Sequence, residues 1–271
     1  MPAKCRLVVV GNCQAEVVHG GLQHESLNGR FEPVYHFVDL PPERHAQGIS
    51  DLARCDIVLA QDISNWDQYP LRDHVPPGIE VIQFPCVRFA SLWPFDSYNG
   101  MLDRAAAARP RPDSRPVYFD GMLARLRQKY PDPQERFERY RDLRIDGLVS
   151  FQRMHSFEEQ RLRGVDARFG CRIGELILDQ FRQERLFHST VHPIARIYAL
   201  VMEVVLQRLG IPQAFPVDSR MEMVEGVQVP VHPLIAKALG VTWCTADTTY
   251  VVGDRRLTWE QYTRWYIERF G

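Results

Sequence analysis

The first hundred residues alternate short apolar runs with helix-length polar stretches. Residues 5–10 form a continuous β-branched run, the pattern of a strand that is covered on both faces in a parallel sheet. Further runs predict strands at 31–38, 56–62 and 79–84. This alternation predicts an α/β fold with a doubly wound, mostly parallel sheet.

A glycine turn follows the first predicted strand. Gly11 ends the strand, and the residues after it predict a helix that Gly20 and Gly21 weaken or break. Residues 5–26 therefore form a predicted strand–turn–helix unit.

The middle of the chain has a helical pattern. Residues 104–116 are rich in Arg and Pro and predict a linker or surface excursion. Amphipathic pieces then follow at 119–129, 134–146, 151–163, 172–184 and 193–209. The last piece is apolar around most of its circumference, with Pro193 in its first turn and Gly210 after its end, so it predicts a buried core helix.

The chain ends with a predicted strand and a predicted helix, where Thr258 and Gln261 have the spacing of a capping box. We expect residues 1–100 to form the α/β core and residues 101–210 to form a large, mainly helical portion that packs on it. Residues 211–271 are expected to complete the same globule.

The composition is that of a soluble globular protein, with 45% hydrophobic and 25% charged residues. The net charge of -1 provides no global field for nucleic acid, so no nucleic-acid partner is expected. The longest apolar runs are too short to cross a bilayer, and the N-terminus lacks a signal-peptide pattern. The six cysteines contain no CxxC pair, so we expect no metal site and a cytoplasmic location with reduced thiols.

The most informative candidate is Cys13, which follows the first strand in the sequence Gly11-Asn12-Cys13-Gln14. Ligands of open α/β sheets bind at the carboxyl ends of the strands, and a helix N-terminus lowers the pKa of a thiol there. Cys13 is therefore a candidate nucleophile, and Gly11, Asn12 and Gln14 are candidates for positioning or oxyanion contacts. The alternative is a buried cysteine that fills space at a tight turn.

A second candidate is His192, which precedes Pro193 and is expected at or next to the N-cap of the core helix. The helix dipole would keep its imidazole neutral, as a general base requires. Asp166 could orient such a histidine, although spacing alone does not bring the two together. A structural N-cap histidine is the alternative for His192.

The aromatic loop at 84–100 contains Phe84, Trp93 and Tyr98, on which a sugar ring or an acyl chain could lie. Arg88 in the loop and Arg196 in a later arginine-rich stretch are candidate phosphate contacts. The alternatives are an apolar cover for the helical portion and solvated arginines on helix surfaces. No phosphate-binding P-loop and no GxSxG elbow is present in the sequence.

Four segments together resemble the WcbI-like proteins of capsular polysaccharide biosynthesis: GNCQ at 11–14, FP at 84–85, the RLF…HP block at 185–193, and the ending that starts TYVVGD. The resemblance implies an acetyltransferase that binds coenzyme A, with Cys13 and His192 in its active site. GNC also stands where SGNH-type hydrolases and acyltransferases carry GDS, which implies an SGNH- or flavodoxin-like core. The DxxH block of those proteins reads Ser189-x-x-His192 here.

These observations predict acyl transfer from acetyl-CoA or a related acyl-CoA to a hydroxyl of a sugar or polysaccharide precursor. Cys13 would be the nucleophile and His192 the base, with Arg88 and Arg196 as candidate contacts to coenzyme A. Two alternatives remain open: an SGNH-like esterase or deacetylase, and a non-catalytic subunit that binds coenzyme A or glycan in a polysaccharide assembly complex.

Overall fold

A computed structural model describes residues 4–62, 66–96, 118–143, 151–222 and 226–270. The predicted linker at 104–116 and the candidate Tyr98 lie outside these residues. The chain forms two compact units, of which unit 1 comprises Met1–Val87, Arg163–Glu175 and Pro193–Met223, and unit 2 comprises Arg88–Leu162, Leu176–His192 and Val224–Gly271. These boundaries differ from those expected at 100 and 210, and the three-segment organisation stays a prediction.

Five strands follow the predicted runs closely, namely the four within residues 5–85 and the one at 249–252. The strands at 187–189, 192–193 and 255–258 were not predicted. The strands are β1 (Cys5–Gly11), β2 (Phe31–Phe37), β3 (Ile57–Asp62), β4 (Glu80–Pro85), β5 (Phe187–Ser189), β6 (His192–Pro193), β7 (Thr249–Val252) and β8 (Arg255–Thr258). The first four form one sheet in the order β2-β1-β3-β4, and every pair in it is parallel. Residues Leu7 to Val10 of the inner strand β1 are each no more than 1% exposed, as a strand covered on both faces requires. The structure confirms the α/β fold with a doubly wound, parallel sheet.

The helices are α1 (Cys13–Leu22), α2 (His45–Leu52), α3 (Gly121–Lys129), α4 (Pro133–Arg141), α5 (Phe151–Phe169), α6 (Ile173–Gln180), α7 (Ala195–Arg208), α8 (Pro233–Leu239) and α9 (Trp259–Phe270). Unit 1 contains the sheet with α1, α2 and α7. The predicted core helix is α7, and most of its residues are buried.

Of the two effects predicted for Gly20 and Gly21, the break in the first helix does not occur, because α1 continues through both of them. A Cβ atom on Gly21 would lie 2.7 Å from Sδ of Met202 in α7, whereas one on Gly20 would meet nothing within 4 Å. Gly21 therefore allows α1 and α7 to approach closely, and its role is packing rather than chain reversal.

The core of unit 2 contains aromatic rings and the buried acid Asp120. Asp120 caps α3 by accepting from the amides of Met122 and Leu123 at 2.9 and 2.8 Å. Its other carboxylate oxygen accepts from the hydroxyl of Tyr140 at 2.5 Å. Burial raises the pKa of Asp120 to about 6 despite these hydrogen bonds.

The predicted capping box is present at the start of α9. The Thr258 amide donates to Oε1 of Gln261 at 2.9 Å, and the Gln261 amide donates to Oγ1 of Thr258 at 3.3 Å. These reciprocal contacts satisfy two of the amides near the helix start and confirm the assignment made from spacing.

Two kinds of feature are absent from the part of the chain that the structure describes. No helix there is long and apolar enough to cross a membrane. No cluster of three or more His, Cys, Asp or Glu side chains there could hold a metal ion.

Candidate active site

The candidate nucleophile Cys13 is the first residue of α1, directly after β1 and the turn at Gly11 and Asn12. Asn12 is the N-cap, and its Oδ1 accepts from the Gln14 amide at 2.9 Å. Gly11 is required for space, since a Cβ atom there would lie 2.5 Å from Oε1 of Gln61. The structure thus confirms the predicted placement of this thiol at a helix N-terminus beyond the first strand.

The side chain of Gln14 connects the start of α1 to the segment after β4. Its Nε2 donates to the Val87 carbonyl at 2.6 Å, and its Oε1 accepts from the Val87 amide at 3.0 Å. Gln61 of β3 donates a third hydrogen bond to the same Oε1 at 3.2 Å, and its own Oε1 accepts from the Asn12 amide at 2.9 Å. These contacts make Gln14 a positioning residue, and they add Gln61, which the sequence reading missed.

A second thiol lies beside this turn, because the Gln14 contacts hold the segment that contains Cys86. The Asn12 amide Nδ2 is 3.9 Å from Sγ of Cys86, a long contact of the kind that sulfur accepts. Cys13 and Cys86 are both half-buried. Burial raises the pKa of the Tyr198 hydroxyl in α7, and negative charge on Cys13 and Cys86, in their thiolate forms, raises it further. The turn therefore has a second sulfur, that of Cys86, beside the N-cap residue that precedes Cys13.

The candidate base His192 belongs to the short strand β6 in unit 2, and it is only 6% exposed. Its Nδ1 is 2.6 Å from Oγ of Ser189. Burial, followed by the charge of His188, lowers its pKa to about 4, so the imidazole is neutral near pH 7. The expected N-cap position is wrong, because Ile194 is the N-cap of α7. The neutral state thus results from burial rather than from a helix dipole.

A chain of polar contacts fixes the neighbouring His188. Its Nδ1 is 3.4 Å from Nε2 of Gln228, whose Oε1 accepts from Nη1 of Arg185 at 2.7 Å. The guanidinium of Arg185 lies over the rings of Trp243 and Tyr250, at 5.1 and 4.7 Å from their centroids. These residues are far apart in the sequence, and no local pattern connects them.

Asp166 has a structural role in the described residues. Its carboxylate accepts from the amides of Gly174 and Glu175 at 2.8 Å each, and from Sγ of Cys171 at 3.3 Å. These contacts hold the start of α6, as a helix-capping carboxylate does. We therefore leave Asp166 out of the proposed chemistry, and note that Ser189 contacts the candidate base.

Two of the aromatic residues expected to bind substrate, Phe84 and Trp93, are buried. Phe84 is 0% exposed and Trp93 is 3% exposed, so neither ring presents a face to a sugar. The indole of Trp93 donates to the Val229 carbonyl at 3.3 Å. The expectation fails for these two rings because Phe84 lies within β4 and Trp93 follows it in the sequence, and both are buried in the core. Tyr98 lies outside the described residues.

The two arginines expected to contact phosphate have different environments. Arg88 is exposed in unit 2, and its carbonyl accepts from the guanidinium of Arg161. Arg196 is half-buried in the first turn of α7 in unit 1. Their role in binding coenzyme A stays a prediction.

Comparison with known proteins identifies the family. The family model described as "Polysaccharide biosynthesis enzyme WcbI" matches residues 6–214. A solved structure of WcbI, described as the native protein without a disulfide bond between coenzyme A and one of its cysteines, superposes with a TM-score of 0.69. The two are 17% identical, and the match covers 99% of this chain and 91% of that one. No curated protein matches the chain. Because the family model spans most of its residues, the chain belongs to the WcbI family of polysaccharide biosynthesis enzymes.

Proposed function

We propose that the protein transfers an acyl group, acetyl in the first instance, from acyl-CoA to a hydroxyl of a sugar or polysaccharide precursor. The observation that carries this proposal is the position of Cys13, whose thiol begins a helix beyond an inner strand of a parallel sheet. The family's place in polysaccharide biosynthesis supports a glycan acceptor. The similar WcbI structure, whose description mentions coenzyme A and a cysteine, supports the donor.

Cys13 is the proposed nucleophile. The amides at the start of α1 stabilise its thiolate, because a helix N-terminus favours negative charge. The Sγ atom attacks the thioester carbonyl, a new S–C bond forms, and the bond to the sulfur of coenzyme A breaks. The leaving thiolate takes up a proton, and the acyl group remains on Cys13. One thioester replaces another in this step, so little free energy separates its two sides.

His192 is the proposed base for the second step. Its neutral imidazole can accept the proton of the acceptor hydroxyl while the hydroxyl oxygen attacks the acyl-Cys13 carbonyl. The contact between Nδ1 and Ser189 fixes the ring, and we assign Nε2 as the atom that takes the proton. The new ester leaves with the acyl group, and the sulfur of Cys13 regains a proton.

The donor set near Cys13 fits an acyl thioester. It contains a thiol that can attack the carbonyl carbon and the amides of a helix start, which suit a carbonyl oxygen that develops negative charge. We propose Arg88 and Arg196 as contacts to the phosphates of coenzyme A. The chemistry requires a reduced thiol, so we also propose that the protein acts in the cytoplasm, in association with a polysaccharide assembly complex.

The test combines coenzyme A binding by calorimetry with acetyl transfer from acetyl-CoA to a panel of sugars. We expect Cys13→Ala to abolish acetyl transfer and to remove the acetyl-protein that mass spectrometry detects in the wild type. Cys86→Ala is the matched control, because it removes the neighbouring thiol and should retain the acetyl-protein.

Other outcomes would contradict specific parts of the proposal. Unchanged transfer by Cys13→Ala would remove Cys13 from the chemistry. Release of acetate from an acetylated glycan without coenzyme A would favour an esterase. Binding of coenzyme A or glycan with no turnover, and with Cys13 alkylated no faster than a simple thiol, would favour a binding subunit.

A further inference from the structure

Arg185 lies between α6 and β5, and its half-buried side chain has no acidic partner within the described ranges. The guanidinium makes one hydrogen bond there, from Nη1 to Oε1 of Gln228 at 2.7 Å. Its Nε atom is buried and has no hydrogen-bond partner among the same residues. Buried arginines are normally paired, because a charge that leaves water without compensation is costly. The unpaired donors of Arg185 therefore require an explanation from the surroundings.

Two aromatic rings pack against this guanidinium. Its central carbon lies 5.1 Å from the ring centroid of Trp243 and 4.7 Å from that of Tyr250. Rings that stack on a guanidinium leave its planar edges available for hydrogen bonds. Gln228 occupies the edge at Nη1 and is itself held in place, since its Oε1 also accepts from the Val251 amide at 3.0 Å. The other edge, formed by Nε and Nη2, has no partner in the part of the chain that the structure describes.

The positive charge of Arg185 is not balanced by its neighbours. Burial lowers the pKa of the guanidinium, but an arginine remains protonated at neutral pH. Cys244 and Tyr250 are the groups whose negative charge would act on it, and burial raises the pKa of both. Both are therefore neutral near pH 7. A cation with an unpaired edge is the arrangement with which proteins bind carboxylates and phosphates.

Arg185 belongs to the same unit as the proposed base and is connected to it through the protein. Nε2 of Gln228 is 3.4 Å from Nδ1 of His188, which lies in β5. Ser189, the next residue of that strand, contacts His192 at 2.6 Å. Gln228 thus contacts both Arg185 and the strand beside the base, so a group that binds at Arg185 has a defined position relative to His192.

We propose that Arg185 binds an anionic group of the acceptor sugar, a carboxylate or a phosphate, at the edge formed by Nε and Nη2. This inference rests on the proposed acyl transfer, in which His192 takes the proton of the acceptor hydroxyl. The half-buried side chain leaves part of Arg185 accessible to a ligand. An oxyanion there supplies the negative charge that the neighbours lack, and it orients the sugar relative to the base. A neutral sugar cannot make this contact.

The test compares glucose, glucuronate and glucose 1-phosphate as ligands in isothermal titration calorimetry. We expect the wild type to bind at least one charged sugar about 10- to 100-fold more tightly than glucose, because hydrogen bonds between charged groups are strong. Arg185→Met keeps the apolar stem and removes the charge, so this preference should disappear. In acetyl transfer, Arg185→Met should raise KM for the charged acceptor by a similar factor, with kcat and KM for acetyl-CoA nearly unchanged.

Arg182→Met is the matched control in the same unit. Arg182 is also half-buried, and its guanidinium lies 4.3 Å from the ring centroid of Phe181, but its Nε donates to the Leu239 carbonyl at 2.9 Å. This variant should retain the preference for charged sugars. Arg185→Lys is a second variant that keeps the charge without the planar edge, so it should retain only part of the preference. Thermal melting shows whether each variant is folded.

The outcomes separate the two proposals. Wild-type protein that transfers acetyl but binds charged and neutral sugars equally would overturn the role of Arg185 and leave the proposed function intact. Lost affinity for coenzyme A in Arg185→Met, with the sugar preference unchanged, would also overturn it, because the residue would then bind the donor. A sugar preference that depends on Arg185, in protein that acetylates neither Cys13 nor a sugar, would retain the anion site and overturn the acyl transfer. The absence of both sugar binding and transfer would overturn both.

Discussion

Replacement of Gln14 by Met tests how the turn at Cys13 is held. The change keeps the length of the side chain but removes the amide, which is 2% exposed and makes three hydrogen bonds. It leaves three buried groups without this partner: the Val87 amide, the Val87 carbonyl and Nε2 of Gln61. An unsatisfied buried group costs about 1–3 kcal/mol, and partial relaxation favours the low end for each. The free energy of unfolding should therefore fall by about 3 kcal/mol.

Urea denaturation of wild type and variant measures this difference. The matched control is Gln134→Met, because Gln134 donates an exposed hydrogen bond to Glu138 at 2.7 Å and accepts another from Arg264 at 2.6 Å. The loss of both exposed contacts should cost no more than about 1 kcal/mol. If Gln14→Met lost less than 1 kcal/mol, or no more than Gln134→Met, the Gln14 contacts would not stabilise the turn as the distances indicate. We also expect the rate of acetyl transfer by Gln14→Met to fall, because the segment that contains Cys86 and Val87 loses its hydrogen bonds to the start of α1.

Three further changes test packing and buried charge. Gly20→Ala should stabilise the protein by about 0.5–1 kcal/mol through helix propensity. Gly21→Ala should lose that gain, because the added methyl displaces the side chain of Met202. A comparison of the thermal melting temperatures of the two variants tests this difference. The pKa of His192 lies below its ordinary value, so between about pH 6.5 and 4 only the unfolded chain takes up the proton. As the pH falls over that range, the free energy of unfolding of the wild type should decrease by up to about 3 kcal/mol more than that of His192→Gln. Equal decreases in the two proteins would refute burial as the cause. The pKa of Asp120 is raised to about 6, so the unfolded chain releases its proton first as pH rises from about 4. As the pH rises from 4 to 6, the free energy of unfolding of the wild type should decrease by about 2–3 kcal/mol more than that of Asp120→Asn. The same pH dependence of unfolding in both proteins would contradict this.

Features with a local cause could be predicted from the sequence. The apolar run of β1 and the glycine after it determine where Cys13 lies, because both act on neighbouring residues. The capping box at Thr258 was predictable for the same reason, since its two partners are three residues apart. The positions of the four sheet strands and of most helices therefore followed from patterns of a few residues, whereas the short strands at 187–189 and 192–193 did not.

Features that depend on distant partners could not be predicted in this way. Burial of Phe84 and Trp93 depends on what covers them, and an aromatic residue after a strand looks the same in a core and in a binding site. The role of Asp166 was equally ambiguous, because its carboxylate accepts hydrogen bonds from the amides of Gly174 and Glu175, which belong to the next helix. The role of Gln61 could not be predicted, because a glutamine near the end of a strand matches no motif and its partners Asn12 and Gln14 are far away in the sequence.

Unit 1 is assembled from three separated stretches of chain, and this has a consequence for synthesis on the ribosome. When residues 1–87 have emerged from the ribosome, all four strands of the sheet are present, but more than a hundred further residues must be translated before α7 begins. Until then, the apolar surface of the nascent sheet that α7 later covers is exposed to solvent or bound by a chaperone. A fragment that ends after β4 should consequently aggregate when expressed alone, however complete its strands are.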